Sequence, residues 1–345
     1  MIPARLQPIL DEVRPLAQRF DAAGHAVYLV GGLVRDLLLG RELHDRSDFD
    51  LTTDAVPEET KAVLAGWADA VWTQGERFGT IGAKKGDRIY EITTHRAEAY
   101  DPDSRKPEVQ FSTDIHADLS RRDFTVNAMA LSLPEPKLID PFDGAADLAA
   151  KRLRTPLDPS ESFGDDPLRM MRAARFISGY DLVPDAALVE AVHGMHDRLA
   201  IVSAERIRDE FDKLLVVDDP SAGLWFLVDT ELMDEFLPEL PSMRLEQDPI
   251  HRHKDVLTHT LAVLENVRPP AEQPPHQPSF DFRRTRLAAL FHDVGKPRTR
   301  GYQKGKGVTF HHHDAVGARM TRKRLEALRY SNDDVQAITE LVALH

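Results

Sequence analysis

Val27-Tyr-Leu-Val30-Gly31-Gly32-Leu-Val-Arg35-Asp36-Leu-Leu-Leu-Gly40, followed by Ser47-Asp48-Phe49-Asp50-Leu-Thr-Thr53, is the stretch that decides the fold. The apolar run Val27–Val30 ends in a glycine pair, and an amphipathic segment follows at once, a pattern that predicts strand, tight turn and helix. Glycines at such a turn let the backbone come close to a ligand, and the free N–H groups of a helix start favour phosphate. A short strand, Asp48 to Leu51, then carries two carboxylates two residues apart. Side chains alternate along a strand, so Asp48 and Asp50 share one face and Phe49 takes the other. Two hard oxygen ligands beside a phosphate-friendly turn suit Mg²⁺ bridging a nucleoside triphosphate. Asp-x-Asp alone is common in surface turns; joined to the glycine turn it marks a nucleotidyl-transfer site.

The chain has 345 residues, enough for two or three domains with their own cores. Hydrophobic residues make up 42% and charged residues 29%, the balance of a globular protein in water. With no cysteine, disulfides and thiolate metal sites are excluded, and any metal must sit on Asp, Glu or the 15 His. No apolar run reaches the roughly 18 residues of a membrane span, and residues 1–20 lack a signal-peptide core, so no membrane partner and a cytoplasmic location are expected. The net charge of −13 argues against a simple nucleic-acid binder. It is unevenly spread: residues 251–345 hold 16 Lys and Arg against 10 Asp and Glu, leaving 28 against 47 in residues 1–250.

Around the deciding stretch, apolar spacing predicts a helix over residues 4–22 and another over Pro57–Leu64. Strand-like runs follow at Ala70–Trp72, Gly79–Ala83 and Arg88–Thr94. Residues 100–107, polar and proline-bounded, read as a mobile loop. Residues 114–119 look helical, and Pro134–Gly144 is turn-rich and reads as the end of a first domain. From Asp165 onward the pattern is helical with few strand signals: Asp165–Gly179, Asp185–His196 and Ala204–Val216, then the His-rich last 95 residues, interrupted by the Pro-rich loop 269–278. The helical pattern is still running at Leu341–His345, so a C-terminal part is expected to be missing.

Three further clusters carry chemistry. Arg121-Arg122-Asp123-Phe-Thr-Val-Asn127 joins two cations able to hold phosphate bidentately to a carboxylate able to accept from a ribose hydroxyl, although a solvated polar turn has the same composition. In Asp165-Asp166-Pro167-Leu168-Arg169-Met-Met-Arg172-Ala-Ala-Arg175-Phe176, Pro167 suits a first helical turn and Asp165 or Asp166 its cap. Arg169, Arg172 and Arg175 recur three apart along one ridge headed by Asp166. An Asp–Arg pair at that spacing can offer a base a fixed edge of acceptors and donors, and the same spacing also serves plain charge pairing on an amphipathic helix. Near the C-terminus, His259, then His292-Asp293 after an apolar helix, then His311-His312-His313 bring imidazoles and a carboxylate together in a pattern suited to a divalent metal that activates water.

In this order the motifs Gly-Gly-x-Val-Arg-Asp with Asp-x-Asp, Arg-Arg-Asp-Phe-Thr-x-Asn-Ala, Asp-Pro-Phe-Asp-Gly (140–144), Asp-Pro-Leu-Arg-Met-Met-Arg-Ala-Ala-Arg-Phe and Glu205-Arg-Ile-Arg208 with Glu210-Phe-Asp-Lys213 closely resemble the class II tRNA nucleotidyltransferases (CCA-adding enzymes) and the related bacterial poly(A) polymerases. The resemblance runs from about residue 25 to 240. It implies that Asp48 and Asp50 are catalytic and bind Mg²⁺, that Gly32 and Arg35 contact the triphosphate, and that Arg122 and Asp123 contact phosphate and ribose. It further implies that Asp166 and Arg169 read the CTP or ATP base, with Arg172 and Arg175 completing the nucleotide site. Asp165 stands where relatives often have Glu, while Asp166 is retained. Residues 100–107 fall at the family's flexible loop, and Glu91 is the candidate third acid. The C-terminal cluster resembles the HD phosphohydrolases, with His259, His292, Asp293 and His313 as ligands of a possible second divalent metal. The family's closing Asp is not identifiable, so the site is expected to be incomplete, and a helical domain of HD ancestry without activity is the other reading.

The fold expected is α+β: a polymerase-β-type nucleotidyltransferase head with a mixed sheet (residues 1–145), a helical neck (146–250) and a helical HD domain (251–345). The expected activity is template-independent addition of CCA to the tRNA 3′ end from CTP and ATP by in-line attack on the α-phosphate, with pyrophosphate leaving. The alternatives are a poly(A) polymerase using ATP only, an HD-type phosphohydrolase, and a non-catalytic RNA-binding protein, against which the Asp48/Asp50 pair argues. Oligomeric state is not legible.

Overall fold

The computed structural model describes residues 6–41, 48–99, 108–245, 255–269, 280–304 and 307–345. The expected loop at 100–107 and residues 270–278 of the Pro-rich loop lie outside them. The chain divides into two compact units, Met1–Asp158 and Pro159–His345.

The first unit is a seven-stranded mixed sheet covered by helices. Helix α1 (Gln7–Ala22) buries Leu10, Val13, Leu16, Ala17 and Phe20, the face its spacing predicts. Then come β1 (Val27–Val30), α2 (Gly32–Leu39), β2 (Phe49–Thr53), α3 (Pro57–Leu64), β3 (Ala70–Trp72), β4 (Thr80–Lys85) and β5 (Arg88–Thr94). A separate antiparallel pair, β6 (Arg96–Ala99) and β7 (Glu108–Phe111), precedes α4 (Ile115–Ser120), β8 (Ala130–Leu133), β9 (Leu138–Ile139) and α5 (Gly144–Ala149). The sheet order is β3-β4-β5-β2-β1-β8-β9. Its strand pairs are antiparallel except β2 with β5, which are parallel and joined by a crossover through α3, β3 and β4.

The β2/β5 register places the acidic residues. Phe49 pairs with Tyr90 and Asp50 with Glu91. Phe49 and Tyr90 are each 2% exposed, with ring centroids 5.2 Å apart, and Trp67 meets Tyr90 edge-on at 5.1 Å. A slip of one residue would bring carboxylates into this aromatic core, so burial on one face fixes the acids on the other.

The head extends past the turn-rich stretch predicted to end it. Gly144 opens α5 so close to the Thr125 carbonyl that a Cβ would lie 2.1 Å from the oxygen. Three residues on, Asp147 is 2% exposed and accepts from Thr125 Oγ1 at 2.7 Å and Arg154 Nε at 2.6 Å. A buried carboxylate needs such donors, and they clasp 144–154 to the head.

The second unit is helical: α6 (Pro159–Asp165), α7 (Leu168–Tyr180), α8 (Ala186–Met195), α9 (Ala204–Leu215), α10 (Ser221–Asp229), α11 (Val256–Glu265), α12 (Phe282–Phe291), α13 (Lys296–Thr299), α14 (His313–Ala327) and α15 (Asn332–Leu344), with one small ribbon, β10 (Gly301–Gln303) and β11 (Gly307–Thr309). The helix expected from Asp165 starts at Leu168 as α7, and a separate helix, α6, ends at Asp165. Residues on either side of the expected boundary at 250 pack as one unit. Arg286, wholly buried, donates to the carbonyls of Leu215 at 2.6 Å, Asp218 at 2.8 Å, Val267 at 3.2 Å and Val217. Arg283 bridges Asp212 at 2.9 Å and Asp334 at 2.7 Å. Among the described residues, no helix is long and apolar enough to cross a membrane.

One buried group makes the head acid-sensitive. His95 has no exposed surface and stacks against Tyr28 at 5.6 Å; burial holds its pKa below the ordinary 6.5, opposed by Asp118 and Asp54. The folded chain therefore binds this proton more weakly than the unfolded chain, so stability is complete above about pH 6.5 and is lost as pH falls through the folded value. His95→Phe is expected to flatten the fall in Tm between roughly pH 7 and 5; an unchanged profile in thermal denaturation would assign the acid sensitivity elsewhere.

Candidate functional site

At the end of β1 the chain turns through Gly31, whose φ of 70° is a conformation that favours glycine. Space demands glycine too: a Cβ there would lie 3.2 Å from Arg122 Nη1 and 3.9 Å from Asp50 Oδ2. The turn thus brings the start of α2, the Asp-x-Asp strand and the Arg121–Asn127 motif to one place. A cavity of about 260 Å³ opens there, lined by Asp50, Glu91, Arg96, Asp118, Arg121 and Arg122 among others.

Carboxylates and arginines alternate around this cavity. Partial removal from water, then the negative charge of Glu91, push the Asp50 pKa up; Arg122 opposes them and Asp48 adds to them. Asp48 is exposed and lies just before β2, which begins at Phe49, one residue later than the strand expected from Asp48. Arg122 donates to Asp118 Oδ2 at 3.2 Å. Asp50 and Glu91 are cross-strand neighbours, Asp48 lies just before β2, and their oxygens are of the hard type that a divalent cation takes.

Behind the turn, Arg35 is 5% exposed. Its Nε and Nη2 donate to the two Asp36 oxygens at 2.9 and 3.0 Å, and its Nη1 donates to Asn127 Oδ1 at 2.7 Å. Asn127 in turn donates to Asp123 Oδ1 at 2.9 Å, which also accepts from the Phe124 N–H at 2.9 Å. A Cβ on Gly32 would lie 3.2 Å from Arg35 Nη2. Arg35, expected at the triphosphate, has its guanidinium committed to the protein, and Asp123 is 8% exposed. Two lining residues, Arg96 and Asp118, escaped the sequence reading; the i,i+4 spacing of Asp118 to Arg122 was the available signal.

In the second unit the N-cap of α7 is Pro167, and Asp166, one residue before it, accepts from the Leu168 N–H through Oδ1 at 3.2 Å. Both members of the predicted Asp166–Arg169 edge also bind other helices. Asp166 Oδ2 accepts from Arg206 at 2.8 Å, while Arg169 Nη1 donates to Ser162 Oγ at 2.8 Å and its carbonyl at 3.2 Å. Arg175 pairs with Glu210, 2% exposed, and Arg172 lies 5.9 Å from the Phe176 ring centroid.

The four histidine-centre residues, His259, His292, Asp293 and His313, come together in two overlapping groups that share Asp293. Asp293, 1% exposed, has His292 Nε2 at 3.1 Å, His313 Nε2 at 3.5 Å and His259 Nε2 at 3.8 Å. A further histidine, His345, joins at 4.0 Å; it lay at the end of the sequence with no motif to flag it, and only the packing of α15 brings it in. Nδ1 of His292 faces the Ala289 carbonyl at 2.7 Å, that of His313 the Phe310 carbonyl at 2.9 Å, and that of His345 the Val342 carbonyl at 2.7 Å. Carbonyls only accept, so each Nδ1 donates, which leaves each Nε2 lone pair turned to the centre, the tautomer a metal ligand needs. Although burial opposes it, His292 and Lys296 beside it hold the Asp293 carboxyl far below the usual range.

A mixed-sheet head with a carboxylate cluster at a glycine turn, followed by helices and a histidine–aspartate centre, defines a polymerase-type nucleotidyltransferase architecture. Family models match along the chain: "Poly A polymerase head domain" over residues 27–154, "Probable RNA and SrmB- binding site of polymerase A" over 182–243 and "HD domain" over 256–345. The head is thus similar to poly A polymerase head domains, and the C-terminal part to HD domains. It is 38% identical over 232 residues to the CCA-adding enzyme of Lactobacillus helveticus, a match covering 67% of this chain and 56% of that one. With the CCA-adding enzyme of Streptococcus suis it shares 40% over 231 residues, 67% of this chain and 55% of the relative. The chain thus aligns with little more than half the length of these relatives. The crystal structure of the Bacillus stearothermophilus CCA-adding enzyme in complex with CTP superposes with a TM-score of 0.68 at 27% identity, covering 99% of this chain and 70% of that one.

The raised Asp50 pKa has a measurable consequence. The folded head holds this proton more tightly than the unfolded chain, whose value is near 3.8, so stability falls as pH rises through the folded value and the ionised group stands as a cost at neutral pH. Asp50→Asn is expected to raise Tm by about 2–6 °C in EDTA near neutral pH and to reduce the stabilisation produced by Mg²⁺. A lower Tm in EDTA would remove the repulsion argument.

Proposed function

We propose that this chain is a template-independent nucleotidyltransferase that completes the 3′-terminal CCA of tRNA from CTP and ATP. The observation that carries the proposal is the meeting of Asp50, Glu91 and Arg122 at the Gly31 turn, with Asp48 beside them. The names of the relatives support the choice of substrates.

Asp48 and Asp50 would hold Mg²⁺, with Glu91 adding to the negative field; when bound, the ion lowers the pKa of the attacking 3′-hydroxyl and neutralises developing charge. The glycine turn and the start of α2 offer the triphosphate an approach free of side chains at Gly31 and Gly32, and Arg122 supplies a cation beside the reacting carboxylates. Arg35 and Asn127 position that turn, and Asp123, held by Asn127, is assigned the ribose. In the neck, Asp166 and Arg169 are assigned the base, Arg172 the nucleotide, and Arg175 the support of that helix through Glu210. The bond broken is the α–β phosphoanhydride and the bond formed is the new 3′–5′ phosphodiester. No side-chain nucleophile is needed.

End-sequencing of a tRNA transcript lacking CCA, after incubation with Mg²⁺ and four NTPs, tests this. C, C, A followed by a stop is expected, whereas a run of A would make the chain a poly(A) polymerase. Asp48→Ala is expected to cut incorporation at least about a thousandfold, and Arg169→Ala to relax nucleotide choice more than it weakens triphosphate binding. Unchanged selectivity in Arg169→Ala would withdraw the base-reading role.

A second activity is favoured by one specific observation, the carbonyl-locked tautomers of His292, His313 and His345 around Asp293. We assign this centre to a divalent metal and to phosphoester hydrolysis, with His259 completing one side. Calorimetry with Mn²⁺ is expected to show a site that His292→Ala removes and Asp48→Ala leaves intact; equal binding in wild type and His292→Ala would withdraw the assignment.

A further inference from the structure

We propose that the ribbon β10–β11 is a landing platform for the unpaired end of an RNA strand, with Tyr302 as its stacking residue; the proposal deepens, and rests on, the reading of the histidine centre as a phosphoester hydrolase, for which it names single-stranded RNA ends as the substrate class.

The ribbon pairs Gly301 with Thr309, Tyr302 with Val308 and Gln303 with Gly307. All three β10 residues are exposed, and Tyr302 at 79% is the most exposed large apolar side chain among the described residues. An aromatic ring on a three-residue strand does nothing there for a core. Its setting is strongly cationic. Residues 296–313 contain five Lys and Arg and no Asp or Glu, in a chain of net charge −13, and Arg298, Arg300 and Lys304 are exposed. A solvent-facing aromatic ring flanked by cations complements a strand that offers base faces and phosphates. A base must be free of its stack to use the ring, which selects single strands over duplex.

The ribbon is also tied to the centre. β11 leads directly into Phe310, whose carbonyl accepts from His313 Nδ1 at 2.9 Å. Before β10, Lys296 donates to Asp293 at 2.7 Å and lies 5.7 Å from the Phe310 ring. From Val308 to His313 is five residues, at most about 17 Å of chain, and the ladder adds about 5 Å. An RNA end stacked on Tyr302 is therefore held within a few nucleotides of the histidines.

The test uses the full chain in EDTA, so that no hydrolysis or metal binding contributes, and a single-stranded RNA decamer ending in 4-thiouridine. After irradiation, the cross-linked peptide is mapped and its yield followed against RNA concentration. Cross-linking to residues 296–313 is expected, with Tyr302→Ala raising the half-saturating concentration about five- to 150-fold. Tyr302→Trp should stay near wild type, which separates loss of stacking from loss of the ribbon. A blunt RNA duplex of the same length should not cross-link there. Absence of this cross-link, an unchanged half-saturation in Tyr302→Ala, or equal capture of the duplex would overturn the proposal. The Mn²⁺ calorimetry reports on the hydrolase reading independently. A persistent Tyr302-dependent cross-link without Mn²⁺ binding would keep the platform and remove the hydrolase.

Discussion

The head is organised by a buried charge that has to be satisfied. Arg35 lies beneath the glycine turn, where an unpaired guanidinium would cost several kcal/mol, and its bonds run to Asp36 and Asn127. Asn127 carries the constraint to Asp123, beside Arg122. Residues almost a hundred positions apart are thereby fixed within one hydrogen-bond chain, and above it Gly31 lies close to both Arg122 and Asp50. The charge needed for chemistry at the surface is positioned by one kept from solvent.

The second unit uses the same device twice. Arg286 gathers four carbonyls, joining the end of α9 to α12. Asp293, nearly as buried, gathers imidazoles and Lys296. The first arrangement exhausts its donors on the backbone and is structural. The second leaves imidazole lone pairs facing one carboxylate, and unused ligand capacity of that kind distinguishes a site from a strut.

Much of this was legible beforehand, for a physical reason. Gly31, Asp48, Asp50 and Arg122 lie in local patterns whose spacing already implies turn, strand face and cation, and the matched elements α1, α3, β3 and β5 follow apolar periodicity. What was misread had non-local causes. The head runs past residue 145 because Asp147 finds donors at Thr125 and Arg154. Helix spacing pairs Asp166 with Arg169 but gives no sign that Arg206 and Ser162, from other helices, also bind them. His345 carried no motif, and its meeting with His313 depends on α15 packing against α14.

The sequence by itself determined the mixed-sheet head, the helical remainder and the residue types at the head's candidate site, because each is written in short-range spacing that chain stiffness and hydrogen bonding convert directly into local structure. Only the tertiary structure decided which of those side chains face the cavity, which are held by the protein, and how many histidines surround Asp293. Those outcomes depend on pairing buried charges across distant elements. A buried charge takes whichever partner the fold brings near, and spacing along the chain does not specify that partner.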